Sequence, residues 1–222
     1  MDADAWNARY DTDELVWGGE PNLFLPSEVA SLTPGRALDL ACGEGRNAVW
    51  LASQGWDVTG VDFSSAGVAK GEHLASEHGA HVTWVVADAT TWAPPAEGYD
   101  LVIVFYLQLP AAERCGAVAT AVRALAPEGT FLLVAHDLLN LTEGHGGPGD
   151  AGVLTTADAV VDDLASASLA HDVELVVERA ERVDRMVSTP EGERSALDTL
   201  VRARRLVAGP VPEGIEPIPV PE

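Results

Sequence analysis

Lysine is nearly missing from this chain: of its 13 basic residues only Lys70 is lysine, against 35 acidic ones. The formal charge is 13 minus 35, or −22. A surface this anionic repels phosphate backbones, and no basic cluster supplies the counterion-release footprint of a nucleic-acid binder. Anionic membrane surfaces are disfavoured for the same reason. Cysteine is scarce too, with Cys42 and Cys115 alone, too few for a disulfide scaffold and without metal-ligand spacing. The histidines form no recognised ligand pattern, so no metal is expected. Long apolar runs are absent. The longest, Leu101 to Leu107, falls far short of the roughly 20 residues a membrane helix needs. The start Met1-Asp2-Ala3-Asp4 lacks the basic and apolar regions of a secretory signal. These absences together predict a cytoplasmic protein, monomeric or homodimeric, that binds neither nucleic acid nor membrane.

What is present suits one domain: 222 residues, 47% of them hydrophobic, are enough to bury a full core. Strand patterns at 37–41, 57–61, 82–86, 101–105 and 130–135 alternate with helical patterns at 47–54, 65–78, 111–125 and 156–169. Leu101-Val102-Ile103-Val104-Phe105 is apolar on both faces, as a central parallel strand is. This alternation predicts right-handed βαβ units in a doubly wound, Rossmann-like α/β sheet with helices on both faces. Two further runs, 173–183 and 196–207, are joined by the turn-rich Ser188-Thr189-Pro190-Glu191-Gly192 and read as an antiparallel hairpin. The expected sheet therefore has seven strands, mostly parallel, in one domain over residues 1–207. Residues 208–222 hold five prolines and read as a loose tail. Ahead of the sheet, 4–10 and 23–32 predict two short helices. The aromatics Trp6, Tyr10, Trp17 and Phe24 concentrate there. They read either as packing against the sheet or as a lid over residues 1–34, hinged at Gly18-Gly19.

The richest stretch is Leu38-Asp39-Leu40-Ala41-Cys42-Gly43-Glu44-Gly45-Arg46-Asn47-Ala48, a strand running through a glycine turn into a helix. Gly43 and Gly45 permit positive φ and close backbone approach by a ligand. The helix start offers unpaired N–H groups to an anion. With Asp62 ending the next strand, the pattern also fits a dinucleotide site, so NAD enters beside other nucleotide cofactors. Asp39 argues against a pyrophosphate, which its carboxylate would repel. It suits the ammonium of S-adenosylmethionine, with Asp62 on the ribose hydroxyls and Asp88 at the adenine edge. Each Asp taken singly is also an ordinary helix cap. Three of them on successive strand ends share the ligand side of such a sheet.

Residues 36–63, RALDLACGEGRNAVWLASQGWDVTGVDF, resemble the class I S-adenosylmethionine-dependent methyltransferases. They are similar in particular to the bacterial branch with tellurite-resistance and thiopurine-type enzymes. Trp6, Arg9-Tyr10 and Trp17-Gly18-Gly19-Glu20-Pro21-Asn22 resemble that branch's N-terminal segment, and 199–204 its last strand. The resemblance implies cofactor contacts at Asp39, Gly43, Gly45, Asp62, Phe63, Asp88 and Ala89, with Phe105 near the methyl donor. Gly67, in the helix after Asp62, departs from the usual better helix former at a cost of about 1 kcal/mol.

Methyl transfer from a sulfonium is an in-line displacement that needs alignment and dryness, with a base only when the acceptor must lose a proton. Candidates on the substrate side are Tyr106 and Gln108 after the fourth strand, and His136 with Asp137 after the fifth. Tyr106 and His136 are the catalytic candidates, and Tyr10 and Trp17 the lid candidates. The resemblance also implies pocket residues on the last hairpin, where Arg185 and Arg194 stand. Seven arginines against five acids in 179–205 either serve an anionic acceptor or pair with the acidic surface. A small-molecule methyltransferase is the leading reading, beside an NAD-dependent oxidoreductase and a non-catalytic S-adenosylmethionine binder.

Overall fold

A computed structural model of the chain describes residues 3–207, so the proline-rich stretch lies outside the described residues. Helix α1 (Ala3–Tyr10) and the short α2 (Leu25–Val29) precede β1 (Arg36–Leu40). Then follow α3 (Arg46–Ser53), β2 (Asp57–Asp62), α4 (Ser65–His78), β3 (Val82–Val86) and β4 (Tyr99–Phe105). After them come α5 (Ala111–Ala124), β5 (Leu125–His136), α6 (Asn140–Glu143), α7 (Ala157–His171), β6 (Leu175–Thr189) and β7 (Gly192–Arg205). The seven strands lie in the order β3-β2-β1-β4-β5-β7-β6. Strands β1 to β5 pair in parallel, whereas β7 runs antiparallel to both β5 and β6. The predicted architecture and hairpin are therefore present.

The core explains the pattern. The two faces of β1, β4 and β5 feed two apolar layers. One packs under α5 and α7 around Val104, Leu125, Phe131 and Leu164; the other packs under α2 and α3 around Leu25, Leu51, Ile103 and Leu200. That two-sided burial is why β4 has no polar alternation. At the sheet's other end the Trp84 ring lies where side chains on Gly45, Gly60 and Gly71 would overlap it. Three glycines thus form a cradle that lets α3 and α4 close onto the sheet.

One expectation is revised by packing. The hairpin is longer than its apolar runs because its outer half alternates charged residues, which hide the strand from a hydrophobicity reading. The glycine-rich 140–152 segment is ordered by local structure. It holds α6 and a single 3-10 turn at Ala151–Val153. Asn140 ties it down, accepting from Leu197 N at 2.7 Å and donating to the Gly146 carbonyl at 2.8 Å.

Candidate functional site

At the C-terminal rim of the sheet, β1 delivers Asp39 and then turns sharply through Ala41, Gly43 and Gly45, all at positive φ. The turn is braced by Asp62 at the end of β2, whose Oδ2 accepts from Gly43 N and Oδ1 from Ser64 N, both at 2.8 Å. Asp39 is 1% exposed. It receives the Ala48 backbone N–H, while its Oδ2 has no partner among the described residues. Burial, and secondarily the Asp62 charge, push the Asp39 carboxyl up from 3.8 to about 7. Burial raises Asp62 as well, against the two N–H donors that hold its charge. Asp88 is exposed and accepts from Thr90 N and Oγ1 at 2.8 and 2.7 Å. Phe63 is half-buried. Ala89 and Phe105 are buried within the apolar layers, so Phe105 packs rather than lining the rim.

The N-terminal segment lies over this loop. Asn7 Oδ1 accepts from Ser64 Oγ at 2.7 Å and Ala66 N at 3.2 Å, fastening α1 to the start of α4. Buried Tyr10 receives the Trp17 indole N–H at 3.4 Å. A Cβ on Gly43 would stand 2.8 Å from its hydroxyl. Trp17 itself is 43% exposed, its ring tilted 49° against that of Trp6 and under the Arg9 guanidinium. The anchor is Glu44, buried and accepting from Val16 N at 3.0 Å, Trp17 N at 3.2 Å and Lys70 Nζ at 3.0 Å. The single lysine of the chain thus sits at the strap's fastening. Gly67 is explained here: a Cβ would crowd the Gly43 carbonyl at 3.0 Å and the Tyr10 ring at 3.2 Å.

A second cluster gathers where β4, β5 and the hairpin meet. Tyr106 leaves β4 at φ +54, a strained value for a bulky residue. Its hydroxyl donates to Asp198 Oδ2 at 2.7 Å. Arg185 Nε donates to the same oxygen at 2.7 Å, and His136 Nδ1 meets Oδ1 at 3.1 Å. Asp198 is 0% exposed. Burial alone would raise its carboxyl, yet the three donors hold it below the ordinary value. Arg46 lies close enough for its charge to be felt by Tyr106, Asp39 and Arg185. It donates to the Trp17 carbonyl at 3.1 Å, and among the described residues no carboxylate lies within 4.0 Å of it. Gln108 is half-buried on the same rim.

Arg194, in contrast, is exposed nearer the hairpin turn, opposite Val187, and outside the cluster. Asp137 also turns away, spending its oxygens on Leu139 N and Thr199 Oγ1. The hairpin arginines mostly pair with acids: Arg179 with Glu28 and Glu181, Arg202 and Arg204 with Glu178, and Arg205 with Glu97. Sequence reading missed Glu44, Arg46, Asn22 and Asp198. The first two stand inside the glycine motif and could have been found there. Asn22 N donates to Asn47 Oδ1 at 2.8 Å. Asp198 carries no local signal, since only strand register sets it opposite His136.

Residues 37–129 match the methyltransferase domain family. The stretch from β1 to the start of β5 is thus that of a methyltransferase domain. That match decides between the cofactors the glycine loop alone left open. The chain is 30% identical over 150 residues to thiocyanate methyltransferase 1 of Arabidopsis thaliana, covering 64% of each chain. It is 28% identical over 106 residues to the 2-heptyl-1-hydroxyquinolin-4(1H)-one methyltransferase of Mycobacteroides abscessus, covering 46% of this chain and 47% of that one. The matches thus span less than two thirds of these relatives' lengths. The fold is shared with N-methyltransferase NodS from Bradyrhizobium japonicum, solved with S-adenosyl-L-homocysteine (TM-score 0.67, 16% identity, 91% and 97% of the two chains). It is also shared with a protein solved in work on converting a disulfide bond into a thioacetal group during echinomycin biosynthesis (TM-score 0.72, 22% identity, 94% of both chains).

Proposed function

We propose that the chain transfers the methyl group of S-adenosylmethionine to a small-molecule acceptor held at the Tyr106–His136 end of the rim. The observation that carries the reading is the unpartnered, buried Oδ2 of Asp39 beside the glycine loop. A buried carboxylate oxygen without a donor costs free energy unless a ligand supplies one. The ammonium of the cofactor's methionine end is such a donor. Arg46, a half-buried guanidinium with no carboxylate of its own, suits the carboxylate of the same moiety. We assign Asp62 and Phe63 to the ribose, Asp88 and Ala89 to the adenine edge, and the backbone of the Gly43–Gly45 turn to the methionine end. The cofactor, when bound, supplies the electrophilic methyl; the protein's part is to orient the acceptor and exclude water.

A small acceptor is favoured by two relatives matched over 150 and 106 residues, whose names print thiocyanate and a hydroxyquinolone. Titration calorimetry with S-adenosylmethionine tests the reading. Micromolar binding is expected for the parent chain, with a loss of at least tenfold for Asp39→Asn. Binding without transfer to any thiol, phenol, iodide or thiocyanate would instead favour a non-catalytic binder.

A further inference from the structure

Resting on that reading, we infer that His136 and Asp198 form a proton-accepting dyad, and that the acceptor is a neutral molecule bearing an O–H or S–H nucleophile. The first ground is what the hairpin arginine does. Arg185 would be the natural receptor for an anionic acceptor, but its Nε is bonded to the fully buried Asp198 at 2.7 Å. Its Nε–H and its counter-charge are engaged with a carboxylate of the protein itself.

The second ground is the orientation of the imidazole. Nδ1 meets Asp198 Oδ1 at 3.1 Å, and an ionised carboxylate only accepts, so Nδ1 carries the proton. The ring is held from its other sides as well. Tyr106 packs on it with centroids 4.7 Å apart, and a Cβ on Gly147 would lie 3.2 Å from its Cγ and Cδ2. Nε2 is left with its lone pair. The hydrogen bond of the ring among the described residues is made through Nδ1, on a side chain that is 12% exposed. Arg185 supplies a counter-charge to Asp198. A neutral imidazole with a fixed tautomer, a free Nε2 and a nearby aromatic wall is what a proton acceptor requires.

The step balances. The acceptor's O–H bond breaks and its proton passes to Nε2, while an oxygen lone pair forms the bond to the methyl carbon. The carbon–sulfur bond breaks with its electron pair remaining on sulfur, so the sulfonium becomes a neutral thioether. The imidazolium then returns the proton to water. In this scheme His136 is the catalytic residue and Asp198 a positioning residue acting through it. Tyr106 and Arg185 satisfy the remaining lone pairs of Asp198 and keep it ionised.

Two measurements on the full chain test the dyad. Nitrogen-15 NMR of labelled histidine should find His136 in the Nδ1–H tautomer; an Nε2–H tautomer would overturn the proposal without any variant. Turnover is then compared between a panel of phenols and hydroxyquinolones and iodide, which has no proton to lose. His136→Gln should lower kcat for the O–H acceptors about 100-fold or more, a loss at least about tenfold greater than any it causes for iodide. Asp198→Asn should do the same, and Asp198→Glu should recover part of the loss and the tautomer signal. Equal losses on both acceptor types, or iodide turnover with no O–H acceptor accepted, would overturn the dyad. Failure to bind S-adenosylmethionine would instead fell the methyltransferase reading itself.

Discussion

At the scale of single residues, two buried carboxylates on adjacent strands do different work, and their partners tell them apart. Asp62 has a backbone N–H on each oxygen, so Asp62→Ala removes two acceptors that brace the turn. Leaving two buried N–H groups unmet costs on the order of 1–3 kcal/mol each. That variant should lose stability as well as cofactor affinity, visible as a lower melting temperature before any ligand is added. Asp39 has one donor and an unmet oxygen. Its folded value is raised from 3.8 to about 7, so the cofactor-free protein is destabilised as pH rises from about 4 to 7, and the penalty is constant above. An arriving ammonium favours the ionised form. Affinity for S-adenosylmethionine should therefore climb by up to about tenfold per pH unit below 7 and level off above it. Binding at pH 6 should release a proton, read by calorimetry in buffers of different ionisation enthalpy. Asp39→Asn should flatten the profile; an unchanged profile would show that another group is responsible.

Between elements, α4 is a helix whose local preferences yield to what it must touch. Replacing Gly67 by alanine gains about 1 kcal/mol of helix propensity. The new methyl would press on the Gly43 carbonyl at 3.0 Å and the Tyr10 ring at 3.2 Å, and overpacking of this kind costs roughly 1–3 kcal/mol. Gly67→Ala should therefore destabilise the protein in denaturant titration, against the helix-propensity expectation. The strap opposite poses the same contest between chain freedom and contact. Read as sequence, the Gly18-Gly19 pair suggests a flap that moves freely in the absence of ligand. In the fold, Glu44 gathers two backbone N–H groups and Lys70 into a buried junction, and buried charge-assisted bonds resist opening. The Val16 and Trp17 amides should thus exchange slowly in the free protein. Glu44→Ala should accelerate both by at least about tenfold, corresponding to about 1.4 kcal/mol. Fast exchange in the parent chain would restore the free flap.

For the whole molecule, a formal charge of −22 is a standing repulsion, partly offset by the arginine pairs along β6 and β7. Those pairs are mostly near the surface and contribute little each, whereas the repulsion is summed over 35 acids. Screening should therefore favour folding, and the melting temperature should rise between about 10 mM and 300 mM NaCl as the Debye length shortens from roughly 30 Å to below 10 Å. A fall would mean that the hairpin's ion pairs outweigh the repulsion. The order of strands and helices, the glycine turn and the three acids at strand ends were legible in the sequence. All of them follow from local rules: side-chain period, turn chemistry and the residue that closes a strand. The tertiary structure alone decided the rest. Glu44 as the strap's anchor, the glycine cradle around Trp84 and the meeting of Tyr106, Arg185 and His136 on Asp198 each join residues far apart in the chain. His136 and Asp198 are 62 positions apart, and only the antiparallel register of β5 on β7 brings them face to face. No spacing rule within one segment can report a contact made by the pairing of two.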